Sequence, residues 1–422
     1  MWPANFSMLT SALAISPTTA PPSLWGHFRK QEITIRPFRL PQSNNLVLLA
    51  TATAMMVVLY GQIDYRVEPY AHWDLAAYRQ IAPASPGIAT AICQPFYFCL
   101  FGPYLVGLLP LPDPLGFYVL AVFSSTGLVI LFYQFLCYSG LCSSVATLSV
   151  TLFIFNKQWF GFTIWNSFQI NDVLSLILII ILFWSMMRDH WALFAITLLL
   201  GSLTRETSLL MVPVALVYLL EKKRFATSWK KAVAACIPGL LAFLLLRILI
   251  PTECGQDFLD ALRTYSQKLL SIEDLLRLLV NSSLPFTFIP VVFHETTLQF
   301  FRDRRYAILF VVLVFLSALF GSNDERLMAP AFIVFYALVG AAVQELDSRR
   351  QLGTVLISCG FLSSLHHACA RYPLPNIAWT YLFSVGALLI ATGVAIVYRT
   401  RYFRQSGVAI QVPADRASPP ER

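Results

Sequence analysis

Arg205-Glu206 is the pair in this chain best suited to chemistry by residue type and setting. It lies between two apolar runs, 190–203 and 207–220, each too short to cross a bilayer alone. A charge pair in so tight a turn is expected to be partly buried. A fixed guanidinium in a low-dielectric site stabilises a developing anion, and a carboxylate takes or orients a proton. Further polar groups gather at the ends of other apolar runs: Asp64, Glu68, His72 and Asp74 after the first, and Asn171-Asp172 at the start of the fourth. Asn323, Asp324, Glu325 and Arg326 join the ninth and tenth, and His366-His367 with Arg371 follow the eleventh. Such a ring of acids and a few arginines suits an active site at a membrane boundary, where polar groups are costly and mark sites by default. Any one of these residues is equally well read as a wet loop end. For Arg205-Glu206 the competing reading is a paired structural plug.

The elements that must position these groups follow from composition. The 422 residues are 57% hydrophobic and 12% charged, with mean hydropathy +0.66. Soluble domains carry about 25% charged residues, so a soluble enzyme is excluded. The expectation is an all-α, polytopic transmembrane helical bundle of about 12 spans with a long first outer loop and interfacial helices. The spans are placed near 46–62, 115–137, 142–160, 172–187, 190–203, 207–220, 232–250, 284–301, 306–320, 327–343, 352–366 and 378–398. Residues 1–45 and 405–422 read as cytoplasmic tails flanking a membrane domain over 46–404. The first 30 residues lack the basic start and apolar core of a signal peptide.

The net charge of +8 resolves by side. With both termini cytoplasmic, 20 of the 30 Lys and Arg fall inside and nine outside, with Arg247 within a span. The acids divide 8 inside and 13 outside, with Glu295 within a span. The basic excess therefore follows the positive-inside rule and gives no support to a nucleic-acid partner. The parity requires that Cys93–Pro110, apolar but interrupted by Pro95 and Pro103, lie along the outer interface or re-enter rather than cross. The outer segment 63–114 is then the longest loop, and loops of that length are usually functional. Leucines among charges over 251–282 suggest amphipathic helices on the outer leaflet. Cys93, Cys99, Cys254 and Cys369 face the outer side, where a disulfide is one option, and the eight cysteines have no metal-ligand spacing. The sequon at Asn281-Ser282-Ser283 is best read as chance.

Five stretches carry a resemblance. Ala71–Ala82 (AHWDLAAYRQIA) resembles the "WD…Y…IA" segment after the first helix of GT-C superfamily polytopic glycosyltransferases, and Gln94-Pro95-Phe96-Tyr97-Phe98 resembles their Pro-Phe-rich juxtamembrane segment. Phe168–Asp172 resembles the polar opening of their fourth helix, and Leu203-Thr204-Arg205-Glu206 resembles their "LTR-E" turn. Asp324–Pro330 (DERLMAP) resembles their "ERY..P" helix start, with Leu327 where the family has tyrosine.

The resemblance implies transfer of a sugar from a polyprenyl-phosphate donor to a lipid or glycan acceptor, with inversion, on the outer side of the membrane. It implies Asp74 as the general base, with Asp64 second. Arg205 would stabilise the leaving phosphate, oriented by Glu206, with Arg326 second. Asn171 and Asp172 would bind substrate, with Asp172 positioning either the acceptor or a divalent metal, the one cofactor the resemblance leaves open. Segment 93–110 would help form a groove for the lipid tail. The compact loops and absence of a sorting signal favour a bacterial inner membrane over the endoplasmic reticulum. The main rival is a 12-span secondary transporter, which His294-Glu295 and Arg247 within spans would suit. No half-to-half similarity supports that rival. A polytopic acyltransferase or polysaccharide polymerase with His294 or His366 as base is a further alternative.

Overall fold

A computed structural model describes residues 43–63, 75–87, 92, 96–249, 263, 265, 267–319, 324–346, 349–365 and 377–405. Every regular element among the described residues is helical. Five helices are long and apolar enough to cross a membrane: Asp113–Tyr138, Ile170–Met187, Phe225–Leu249, Glu325–Gln344 and Trp379–Tyr402. Four shorter apolar helices accompany them: Asn44–Leu59, Ser143–Ile154, Trp191–Thr204 and Arg305–Ala318. The chain is therefore a bundle of apolar helices of membrane type.

In chain order the elements are α1 (Ser43–Leu59), α2 (Leu75–Ala84), α3 (Phe101–Gly107), α4 (Asp113–Tyr138), α5 (Ser143–Ile154), α6 (Phe162–Trp165), α7 (Ile170–Met187), α8 (Trp191–Thr204) and α9 (Met211–Glu221). They continue with α10 (Phe225–Leu249), α11 (Ile272–Leu276), α12 (Ile289–Val292), α13 (His294–Asp303), α14 (Arg305–Ala318), α15 (Asp324–Leu327), α16 (Phe332–Gln344), α17 (Arg349–Ser364) and α18 (Ile377–Gln405).

The long helices differ in what surrounds them. The apolar window of Ile170–Met187 is 78% buried within the protein, whereas that of Phe225–Leu249 is only 22% buried. A helix apolar all round must be covered on every side. Protein covers α7, and α10 leaves Leu241, Leu244, Leu245 and Ile248 outward for lipid. The centre is an aromatic cluster in which Phe132 and Phe153 pack on Phe332 at 4.6 and 4.7 Å between ring centroids. Such pairs add about 0.5–1.5 kcal/mol each beyond area burial. α8 and α10 approach so closely at Gly239 that a Cβ there would lie 2.7 Å from Leu198 Cγ and 3.0 Å from its carbonyl oxygen.

Hydrogen bonds tie the elements into two ends. At the first, Ile63 N–H donates to the Trp165 carbonyl at 3.0 Å, and Asn156 Nδ2 donates to the Ser282 carbonyl at 3.0 Å. At the second, Asn45 donates to Ser143 at 2.8 Å, Thr296 to Glu345 at 2.6 Å and Tyr398 to Gln351 at 2.9 Å. Arg224 pairs with Asp189 at this same end. The candidate residues lie at the first, here termed the site end.

Two features differ from the sequence-based expectation. Residues 284–301 are not one continuous span: α12 is four residues long, Phe293 breaks the helix at ψ 50°, and α13 restarts with exposed His294 and Glu295. Pro285 and Pro290 limit helix propagation, and the polar His294-Glu295-Thr296-Thr297 run is poorly suited to a lipid environment. Glu295 instead lies at the far end, 2.5 Å from Arg399. The third expected span, 142–160, is helical only to Ile154 and then opens into a π-helical turn over Lys157–Gly161. Segment 93–110 holds a 3₁₀ turn at Phe96–Phe98 and the seven-residue α3, neither long enough to cross.

Candidate functional site

Asp172 is the centre of the site end. It lies in the first turn of α7, where unsatisfied backbone N–H groups and the helix dipole favour a negative charge by about 0.3–1 kcal/mol. The preceding residues Asn166–Gln169 form a non-helical turn, closed by the Asp172 N–H donating to the Gln169 carbonyl at 2.9 Å. That turn starts α7 below the bundle surface, leaving the Asp172 side chain only 6% exposed.

Each oxygen of this carboxylate faces an arginine. Arg205 Nη1 donates to Oδ1, and Arg326 Nε lies 3.3 Å from Oδ2. Arg205 follows the last residue of α8 with an extended backbone, φ −160° and ψ 137°. Arg326 comes from α15, and its guanidinium lies over the Phe162 ring at 5.5 Å. The two arginine side chains are 18% and 15% exposed, so all three groups are largely withdrawn from water. Arginine keeps its proton under all ordinary conditions. The trio therefore holds a net positive charge, suited to an anion with several acceptor oxygens.

Glu206 does not orient Arg205, contrary to the expectation above. Arg205 is extended and Glu206 opens the following 3₁₀ turn, Glu206–Leu210, and this change of backbone turns the two side chains apart. Arg205 turns inward to Asp172, and Glu206 turns outward to Arg247, whose Nη2 lies 2.9 Å from Glu206 Oε2. Arg247 in turn stacks on Phe243 and Phe98, at 3.6 and 4.1 Å from the ring centroids.

Asn171 performs a different task from its neighbour. Its Nδ2 donates to the Cys99 carbonyl and its Oδ1 accepts from the Gly102 N–H, both at 2.9 Å. These bonds fix the Phe98–Phe101 connection against α7. A Cβ at position 102 would stand 2.5 Å from Asn171 Oδ1, so the approach requires glycine.

A second polar group beside the trio was not singled out by sequence. Asn156 Oδ1 accepts from the N–H groups of Gln158 and Trp159 at 2.9 and 2.8 Å, capping the π-helical turn. Its Nδ2 also donates to Tyr336 Oη at 3.1 Å. Trp159 Nε1 donates to the Glu325 carbonyl at 3.2 Å, and the buried Glu325 carboxylate lies 2.8 Å from Arg277 Nε. Lys157 is fully buried, with Nζ 3.4 Å from Ser384 Oγ and 4.6 Å from the Tyr381 ring centroid. The signal in the sequence was the polar triplet Asn156-Lys157-Gln158, which interrupts an otherwise apolar run.

The sequence candidates therefore divide. Asp172, Arg205 and Arg326 come together, Glu206 stands beside them on an outer pair, and Asn171 anchors backbone. Asp64, Asp74, Glu68, His72, Gln94, Pro95, Asn323, His366, His367 and Arg371 lie outside the described residues, as do Cys93, Cys254, Cys369, residues 1–42 and residues 406–422; residues 43–45 and 405, expected in the tails, belong to α1 and α18. Among the described residues, no three His, Cys, Asp or Glu side chains are grouped to hold a metal. A cation at Asp172 would have to displace an arginine. Comparison of the whole chain with models of protein families and with curated protein sequences finds no match.

Proposed function

We propose that this protein is an integral membrane glycosyltransferase of the GT-C type, which moves a sugar from a polyprenyl-phosphate donor to a lipid or glycan acceptor with inversion. The observation that carries this reading is the convergence on one carboxylate. Phe168–Asp172, Leu203–Glu206 and Asp324–Pro330 were singled out separately for their resemblance to that superfamily. Their charged members meet as Asp172, Arg205 and Arg326.

In this reading the chain crosses the membrane twelve times with both termini cytoplasmic, in a bacterial inner membrane. The alternation of successive elements between the two ends supports the count. The crossing near 284–301 is then made by a short, broken segment. The site end is the outer side, consistent with the basic clusters at Lys222-Lys223-Arg224, Arg302–Arg305 and Arg399 at the opposite end.

The chemistry needs two charge events. An acceptor hydroxyl oxygen attacks the anomeric carbon as the bond from that carbon to the phosphate oxygen breaks. The hydroxyl proton passes to a carboxylate, assigned to Asp74 with Asp64 as second choice, and the phosphate leaves with an added negative charge. Arg205 and Arg326 stabilise that phosphate. Fixed donors of this kind contribute about 10²–10³-fold in rate, and the general base about 10²–10⁴-fold. Asp172 positions both arginines and so spares the site the cost of orienting them during reaction.

The transporter alternative loses ground on one observation. Arg247 pairs with Glu206 at the site end, and Glu295 with Arg399 at the far end. Neither forms the mid-depth charge that made the transporter attractive. The test is transfer of label from radiolabelled polyprenyl-phosphate sugars by the purified protein in detergent, with the product identified. Transfer supports the enzyme, and an intact donor with every acceptor tried contradicts it.

A further inference from the structure

We infer that Arg247 is a docking residue for the phosphate of a membrane lipid, placed where such a lipid would approach the Asp172–Arg205–Arg326 trio from the side. This inference rests on the proposed phosphate-lipid substrate and adds the route and a second binding residue. Arg247 occupies the last turn of α10, the long apolar helix least covered by protein, and Leu244, Leu245, Ile248 and Leu249 around it are exposed. An arginine in the last turn of a lipid-facing helix ordinarily reaches for the aqueous interface, whereas Arg247 is held against the protein. Two aromatic faces and one carboxylate hold it: the rings of Phe98 and Phe243 and the Glu206 side chain.

The charges form a graded line. Arg247 and Glu206 are 30% and 55% exposed, Arg205 is the next residue along the chain, and Asp172 with Arg326 lies deepest. Signs alternate along the line from Arg247 to Arg326. Polyprenyl phosphate, the monoester that the proposed transfer releases, has more charge and more acceptor oxygens than a carboxylate and competes with the half-exposed Glu206 for Arg247. The Arg247–Glu206 pair is weak enough to yield, because exposed ion pairs are strongly screened. Phe98, buried in the turn fixed by Asn171, keeps the guanidinium in place. The released Glu206 stays beside Arg205, so the bound phosphate has a second arginine one step further in.

The test is direct binding of a radiolabelled long-chain polyprenyl phosphate, without sugar, to full-length protein in nanodiscs of zwitterionic lipid. Arg247→Gln should weaken binding about tenfold, Arg247→Lys less, and Glu206→Gln should strengthen it by removing the competitor. The opposite sign in Glu206→Gln separates the inference from general damage to the fold. Unlabelled phosphatidylglycerol should compete poorly. Equal competition would assign the residue to bulk anionic lipid and overturn docking of polyprenyl phosphate. Unchanged binding in Arg247→Gln, or loss of binding in Glu206→Gln, would also overturn it. Binding is read without chemistry, so wild-type protein that binds but transfers no sugar counts against the glycosyltransferase proposal alone.

Discussion

Asp172 Oδ2 lies 3.3 Å from Arg326 Nε while Asp172 Oδ1 accepts from Arg205, so one buried carboxylate joins residues from α7, the α8–α9 turn and α15. The segments placed outside in the proposed topology carry more acids than bases, yet the layer of Asp172, Arg205 and Arg326 is cationic. The acids of the first outer loop lie outside the described residues, and the withdrawn part of the site is built to hold an anion. That division suits an enzyme whose leaving group is a phosphate.

Removing the central charge should cost both stability and activity. Asp172→Asn keeps the side-chain shape but leaves two arginines facing each other in a low-dielectric layer. Breaking a buried ion pair on one side costs about 3–5 kcal/mol. The purified variant should melt several degrees lower in detergent and lose transfer, as read by a thermal-shift series alongside the label assay. A variant with wild-type melting would show that the carboxylate does not hold the arginines.

Asp74→Asn should behave in the opposite way. With the base gone, transfer should fall by about 10²–10⁴-fold, while expression, membrane insertion and melting stay at wild-type values. Asp64→Asn should have a smaller effect on rate. Normal turnover in Asp74→Asn would remove that residue from the base role and move the search to Asp64.

Gly102→Ala tests the anchoring role of Asn171. The added methyl would stand 2.5 Å from Asn171 Oδ1 and 2.7 Å from Ile170 Cγ2. Overpacking of this kind costs about 1–3 kcal/mol. The expected outcome is a lower melting temperature in both Gly102→Ala and Asn171→Ala. If Asn171→Ala instead keeps its melting temperature and raises KM for the donor, Asn171 is a substrate contact.

Much of this site could be read from residue type and place. Asp172, Arg205 and Arg326 each interrupt or open an apolar run, where a charge is costly enough to need a reason. What could not be read was partnership. Arg205 and Glu206 adjoin in sequence, and only the extended backbone at Arg205 turns them apart, so that Glu206 meets Arg247 from a helix 41 residues on. Lys157 and Asn156 fall inside the stretch 142–160 expected as one span, and nothing local indicates that Ser282, Tyr336 and Ser384 close over them. The stretch 284–301 passed as one continuous helix because mean hydropathy ignores order. Its two prolines and its His294-Glu295 pair break the helix where the average is still apolar.

The most direct measurement is steady-state sugar transfer from a polyprenyl-phosphate sugar by the purified protein, comparing wild type with Arg205→Gln. The expected result is a product of anomeric configuration opposite to the donor, with kcat/KM per folded protein at least about 10²-fold lower in the variant and a melting temperature lowered less than in Asp172→Asn, because Arg326 still faces the carboxylate. Wild-type protein that transfers no sugar, or an Arg205→Gln variant that transfers it as well as wild type, would contradict the role assigned to the Asp172-held arginines.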